Sequence, residues 1–167
     1  GLPRHIPPME RRDNEPLTYE RVSEAMAEEG DGIAIFHVVG DCLEAAGVED
    51  GGLVAVDFHR FPAPPMYRPE GGIARRDLCL CYAVFPGEKA PTVMCKTYDG
   101  VWGTWQMVGT AYDLTTGRHR MNCGMIAWDI FGVIFAAWGR DGALKWERDR
   151  DEFQCPITSP CCKDNPE

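Results

Sequence analysis

Two side chains in this sequence are of types that act together on a carbonyl group: the thiol of Cys42 and the amine of Lys96. Cys42 follows Gly40-Asp41 and precedes Leu43, between two apolar runs (33–39 and 53–58) that each suit a strand. The chain turns at Gly40-Asp41, makes about one helical turn through 43–46, and turns again at Glu49-Asp50-Gly51-Gly52. A thiol at such a bend is open to approach. The backbone amides of the bend, at Gly40, Asp41 and Leu43, are the candidate donors to a developing oxyanion. Asp41 is expected to hydrogen-bond the turn amides. Lys96 takes a proton from a nucleophile only when neutral, and burial beside Val93 and Met94 favours that form. Each residue also has a plainer reading: Cys42 as a small buried thiol, and Lys96 as a strand lysine that snorkels to solvent.

The elements that must position them are mostly strands. Residues 1–16 carry four prolines and alternating charge, and read as an extended arm. Residues 17–29 read as a helix with Thr18 as N-cap and Tyr19, Val22 and Met26 on one face. Residues 59–76 are rich in Pro and Gly and form a surface excursion. The run 78–85 alternates Leu78, Leu80, Tyr82 against Cys79, Cys81, Ala83, turns at Pro86-Gly87, and returns through 91–97 as a hairpin partner. A further strand is expected over 101–108, with Trp102 and Trp105 on opposite faces, before a polar, turn-rich stretch at 112–121. The most hydrophobic segment, 125–138, reads as a strand with a bulge at Gly132, and Gly139-Arg-Asp-Gly142 turns it into 143–147. A charged, Cys/Pro-rich tail occupies 148–167 and is expected to be loosely held. Three stretches result: an arm and helix (1–32), one β domain (33–147) with 59–76 inserted, and the tail. The fold class is mainly β with one early helix.

Composition narrows the function. A chain of 167 residues with 44% hydrophobic content can bury one domain core. Its formal charge is −9 and it has no Lys/Arg block, which argues against direct binding of nucleic-acid phosphate or an anionic membrane. No apolar run reaches the ~20 residues of a membrane helix, and no charged-then-apolar leader opens the sequence. Of the eight cysteines (42, 79, 81, 95, 123, 155, 161, 162), 79 and 81 share a strand face and 161 and 162 adjoin. Reduced thiols in a cytoplasm fit that spacing better than a disulfide framework. There is no Cys-x-x-Cys pair and the four histidines (5, 37, 59, 119) are scattered, so no metal site and no cofactor are expected.

The blocks Gly40-Asp41-Cys42-Leu43, Val48-Glu-Asp-Gly-Gly-Leu-Val-Ala-Val-Asp57, Thr92-Val-Met-Cys-Lys96-Thr and Asp129-Ile-Phe-Gly-Val-Ile-Phe135 follow one another in an order that resembles the peptidase domain of LexA- and UmuD-type self-cleaving proteins. That family carries Gly-Asp-Ser-Met, a short helical turn, Asp-Gly-Asp with two hydrophobics, and a later strand lysine. Gly109-Thr-Ala-Tyr112 occupies the place of a further family turn, and the resemblance covers roughly 33–138. It implies a LexA/signal-peptidase-like β-ribbon fold, a nucleophile at Cys42 with Lys96 as its base, and a homodimer through the closing strand region 128–138.

Three departures bear on activity. Cys42 replaces the family's Ser, and a larger sulfur in a site shaped for oxygen loses rate steeply, about a hundredfold for a misplacement of ~1 Å. Glu15-Pro16-Leu17 is present as in family cleavage sites, but the preceding pair is Asp13-Asn14 and no Ala-Gly or Cys-Gly pair precedes Cys42. Gly52 stands where the family has Asp. The expectation is therefore a LexA/UmuD-like module of prophage-repressor or SOS-response type, regulatory or dimerising, with weak or lost self-cleavage and a possible protein partner. Two alternatives stand beside it: an active Cys42–Lys96 hydrolase that cuts itself or another chain, and a thiol-redox or metal-responsive protein using the C-terminal cysteines.

Overall fold

The computed structural model describes residues 2–5, 17–41, 43–63, 66–101, 104–108, 111–113, 118–120 and 127–155; within these, side chains are described except at 73, 99–101, 104–108, 111–113, 118–120, 127 and 128. The fold is mainly β with one early helix, α1 (Tyr19–Glu28). Its strands are β1 (Ile33–His37), β2 (Leu53–Asp57), β3 (Met66–Tyr67), β4 (Ile73–Arg75), β5 (Asp77–Val84), β6 (Thr92–Val101), β7 (Thr104–Val108), β8 (Ala111–Asp113), β9 (Arg118–Arg120), β10 (Ala127–Trp138) and β11 (Leu144–Glu147). The N-cap of α1 is Thr18, whose hydroxyl accepts from the Arg21 amide at 3.2 Å.

One antiparallel sheet runs β1-β2-β10-β5-β6-β7, with β11 added to β10. β10 thus lies between an early hairpin, β1–β2, and a middle one, β5–β6. It pairs β5 along Ala127 to Ile134 and β2 along Val133 to Trp138. A bulge between Ile130 and Gly132 lets it bend from one partner to the other. Glycine is required there because a Cβ would sit 2.3 Å from the Asp57 carbonyl oxygen. The excursion 59–76 holds the small hairpin β3–β4, whose Met66 and Tyr67 are exposed, and β8–β9 pair as a separate two-stranded sheet.

Strand alternation gives the sheet two apolar faces, as the Leu/Cys alternation of β5 requires. On one, Leu78, Leu80 and Ile134 pack with Val54, Val56, Leu43, Val48 and Val22 of α1. Tyr19 of α1 meets Tyr82 edge-on, with ring centroids 4.8 Å apart. On the other, Cys79, Cys81, Met94, Tyr98 and Ile130 form one cluster, and Leu53, Ala55, Val133, Phe135 and Phe153 another.

Within the region 128–138 expected to pair two copies, residues 130–138 are each 9% exposed or less because β2, β5 and β11 of the same chain flank β10. One expectation changes here: the start of the tail is not loose. Within 148–155, Phe153 is 4% exposed and Gln154 exchanges backbone hydrogen bonds with Phe61. Trp102 and Trp105 lie outside what is described of side chains.

Candidate functional site

The turn that carries Cys42 is held at both ends by backbone bonds. Val38 donates to Gly52 O at 2.9 Å and Gly51 donates to Val38 O at 2.9 Å, closing the neck between β1 and β2. Gly40 has φ +101°, a left-handed value that a side chain disfavours. Inside the loop, Glu44 donates to Asp41 O at 3.1 Å and opens the 3-10 turn Glu44–Ala46. Leu43 and Val48, 9% and 1% exposed, anchor the loop in the core. Cys42 itself lies outside the described residues.

The turn's polar groups differ from expectation. Gly40 donates its amide to Asp50 Oδ1 at 3.0 Å, so this amide is committed within the loop and is not an oxyanion donor in this arrangement. Asp50, not Asp41, thereby braces the bend from across the loop; Asp41 is exposed. Glu49 is pulled below the usual glutamate range by the ammonium of Lys145 and by the Arg140 amide at 3.1 Å. Trp146 ties β11 to the same loop by donating Nε1 to Ala46 O at 3.0 Å.

Lys96 is buried, 1% exposed, in the middle of β6. Its cross-strand partner is Cys79, and Cys81 faces Met94. The same alternation sends Cys95 and Thr97 to the other face, where they meet Leu80 and Leu78. Lys96 therefore shares a face with Cys79, Cys81 and Tyr98, whereas Leu43, next to Cys42, packs in the Leu78/Leu80 cluster on the opposite face. Cys81 Sγ donates to Met94 O at 3.5 Å. Burial first, and contact with Cys79 second, push the Cys81 thiol well above its ordinary range, with Lys96 pulling the other way. Burial, with a smaller contribution from Cys79, pushes the Tyr98 phenol up as well.

Two buried carboxylates escaped the sequence reading. Asp57 accepts from the His59 amide at 2.8 Å and from Arg150 Nε at 2.5 Å. Asp77 accepts from the Ala63 amide at 2.7 Å, from Arg75 Nε at 2.9 Å and from Arg148 Nη1 at 2.5 Å. The Arg75 and Arg148 guanidiniums also stand 5.1 and 4.7 Å from the Phe153 ring centroid. A wide cleft of about 820 Å³ adjoins this clamp, but its guanidiniums at 60, 148 and 150 are matched by carboxylates at 57, 77 and 151. Only the acidic and basic residue types in 148–152 signalled the clamp, since pairing across some seventy residues has no local pattern.

A second cavity, about 540 Å³, lies against the Cys42 turn and is lined by Leu43, Ala46, Leu78, Thr97, Ile134 and Trp146 among others. Among the described residues no group of three or more His, Cys, Asp or Glu is placed to hold a metal ion, and no helix is long and apolar enough to cross a membrane. Cys79, Cys81, Cys95 and Cys155 are not in disulfides, while Cys42, Cys123, Cys161 and Cys162 lie outside the described residues. Comparison of the chain with protein families, with curated proteins and with solved structures finds no match.

Proposed function

We propose that this chain is a LexA/UmuD-like peptidase-type module of prophage-repressor or SOS-response kind, whose self-cleavage is weak or lost and whose role is regulatory or dimerising. Support comes from the order of its parts: a braced Gly-Asp-Cys turn between two strands, then a hairpin carrying a fully buried lysine, then a Gly-bulged closing strand. The observation that carries the reading is Lys96, 1% exposed in the middle of β6, downstream of a turn whose neck is closed by the Val38–Gly52 and Gly51–Val38 backbone bonds. The weak or lost cleavage rests on Cys42 in place of Ser and on the missing Ala-Gly or Cys-Gly pair before it. The free thiols at Cys79 and Cys81, side by side, suit a reducing cytoplasm. Pairing of two copies, on this reading, involves the closing strand region 128–138.

Intact mass after incubation between pH 7 and 9 tests the reading. The expected result is an uncut chain, with any residual cleavage abolished in Cys42→Ala and in Lys96→Ala. Rapid, Lys96-dependent cleavage would replace it with the active hydrolase. Light scattering across protein concentration tests the dimer; a monomer throughout removes that part.

A thiol-responsive protein is the second reading, favoured by one contact: Arg60 Nη1 donates to Cys155 Sγ at 2.8 Å. A guanidinium so placed stabilises a thiolate and speeds its reaction. Alkylation of Cys155 at pH 7 that slows in Arg60→Ala supports it; equal rates end it.

A further inference from the structure

We propose that Cys79, Cys81 and Met94 form a buried site for one Cu(I) ion, with the Lys96 ammonium as its counter-charge. The site is independent of the peptidase-like reading, because neither Cys42 nor its turn takes part.

Strand register brings the three side chains together. Cys79 and Cys81 stand two residues apart on β5, which puts both on one face of the sheet. The paired strand β6 sets Met94 directly opposite Cys81 and Lys96 directly opposite Cys79. The two thiols are in contact, and Cys79, Cys81 and Met94 are 0%, 1% and 7% exposed in one cluster with Tyr98 and Ile130. Two thiolates on one metal stand at most ~4.6 Å apart, twice a metal–thiolate bond of ~2.3 Å, so neighbouring thiols need little rearrangement. The third donor is a thioether, which a count of His, Cys, Asp and Glu passes over.

Donor chemistry and charge select the ion. Thiolates with a thioether suit soft Cu(I), which accepts few ligands, whereas structural Zn(II) takes four and Mg(II) or Ca(II) take oxygen. Burial holds the Cys81 proton firmly, so only an ion of high thiolate affinity displaces it. Binding exchanges the two thiol protons, released to solvent, for one Cu(I), and no electron moves. Two thiolates and one Cu(I) carry a net negative charge of one, and the Lys96 ammonium brings the site to neutrality, as a dry interior favours. Its charge already acts on Cys81. Asp77, two residues from Cys79 on the same face, is matched by Arg75 and Arg148 and leaves that balance undisturbed.

The test is an anaerobic Cu(I) titration of the full-length chain, with ascorbate as reductant and bicinchoninate as competitor. The five cysteines other than 79, 81 and 95 are first replaced, as Cys42→Ala, Cys123→Ser, Cys155→Ser, Cys161→Ser and Cys162→Ser. The expected result is uptake of one Cu(I) per chain with a near-ultraviolet thiolate-to-copper absorption, and a urea midpoint raised by the bound ion. Cys81→Ala should abolish uptake. Met94→Leu should weaken it by about tenfold or more, since even a group one layer beyond the ligands is worth that much. Cys95→Ser, on the opposite face, should leave it unchanged. Circular dichroism checks that each variant is folded, and Met94→Leu decides the matter if Cys81→Ala misfolds. No uptake, uptake indifferent to Cys81→Ala and Met94→Leu, or loss in Cys95→Ser would overturn the proposal. So would a urea midpoint that Cu(I) leaves unchanged or lowers, which marks binding to unfolded thiols.

Discussion

Lys96 stands directly opposite Cys79 in the β5–β6 ladder, on the sheet face that Cys95 and Thr97 turn away from. A lysine 1% exposed gives up hydration, and Lys96 interacts electrostatically with Cys81 on the same face. Lys96→Met conserves most of the volume but removes the charge its neighbours are arranged around. Its urea midpoint should fall, with a loss of about 3–5 kcal/mol. A midpoint that matches or exceeds the parent's would show that the cost of burying the ammonium outweighs its interactions.

The protons of Cys81, Tyr98 and Tyr82 set a stability limit at high pH. Burial is the first cause of the upward displacement in all three. In the unfolded chain a thiol releases its proton near pH 8.5 and a phenol near pH 10. The folded chain still holds those protons there, so it binds more protons than the unfolded chain does, and stability must fall as pH rises. Full stability is expected below about pH 8, with a first decline set by Cys81 and a steeper one above about pH 10 set by the tyrosines. Urea midpoints at pH 7.5, 8.5, 9.5 and 10.5 read this directly, and Cys81→Ala should flatten the first decline. A flat profile across the range would refute the assignment.

Asp77 joins three segments by itself: its carboxylate, 0% exposed, accepts from Ala63, Arg75 and Arg148. Asp77→Asn should lower stability by about 3–5 kcal/mol, since two guanidiniums lose their buried counter-charge and keep only the half-exposed Glu152. Arg148→Met leaves Arg75 in place and should cost less, about 1.5–3 kcal/mol. Chemical denaturation of both variants checks the order. If Arg148→Met proves the more harmful, the stacking on Phe153 outweighs the ion pair.

Gly52 departs from the LexA-type pattern for a steric reason visible in this fold. A Cβ there would lie 2.3 Å from the Trp138 carbonyl oxygen, which is backbone and cannot swing aside. Gly52→Ala should cost about 1–3 kcal/mol and Gly52→Asp more. Thermal unfolding at the parent's temperature for Gly52→Asp would show that β2 and β10 separate easily at this point.

Local pattern made most elements legible. Thr18 marked the start of α1, alternating Leu and Cys marked β5, Gly132 the bulge, and Gly139 with Gly142 the last turn, where Gly142 donates to Gly139 O at 2.9 Å. What spacing cannot carry is which strand neighbours which. Residues 125–138 announced a strand by hydrophobicity but not a place between β2 and β5, where 130–138 are buried. The candidate site shows the same limit. Lys96 was found from its context and its burial followed, but its face depends on the register of the β5–β6 hairpin, which sets Cys79 opposite it.

The position of β10 also fixes an order of events. The β1–β2 and β5–β6 hairpins close from local contacts, yet neither pairs with the other until the strand between them has been made, more than seventy residues after β2. Such non-local closure slows folding and leaves strand edges uncovered meanwhile. During synthesis the chain waits, with two half-sheets and no core, for its last quarter to arrive.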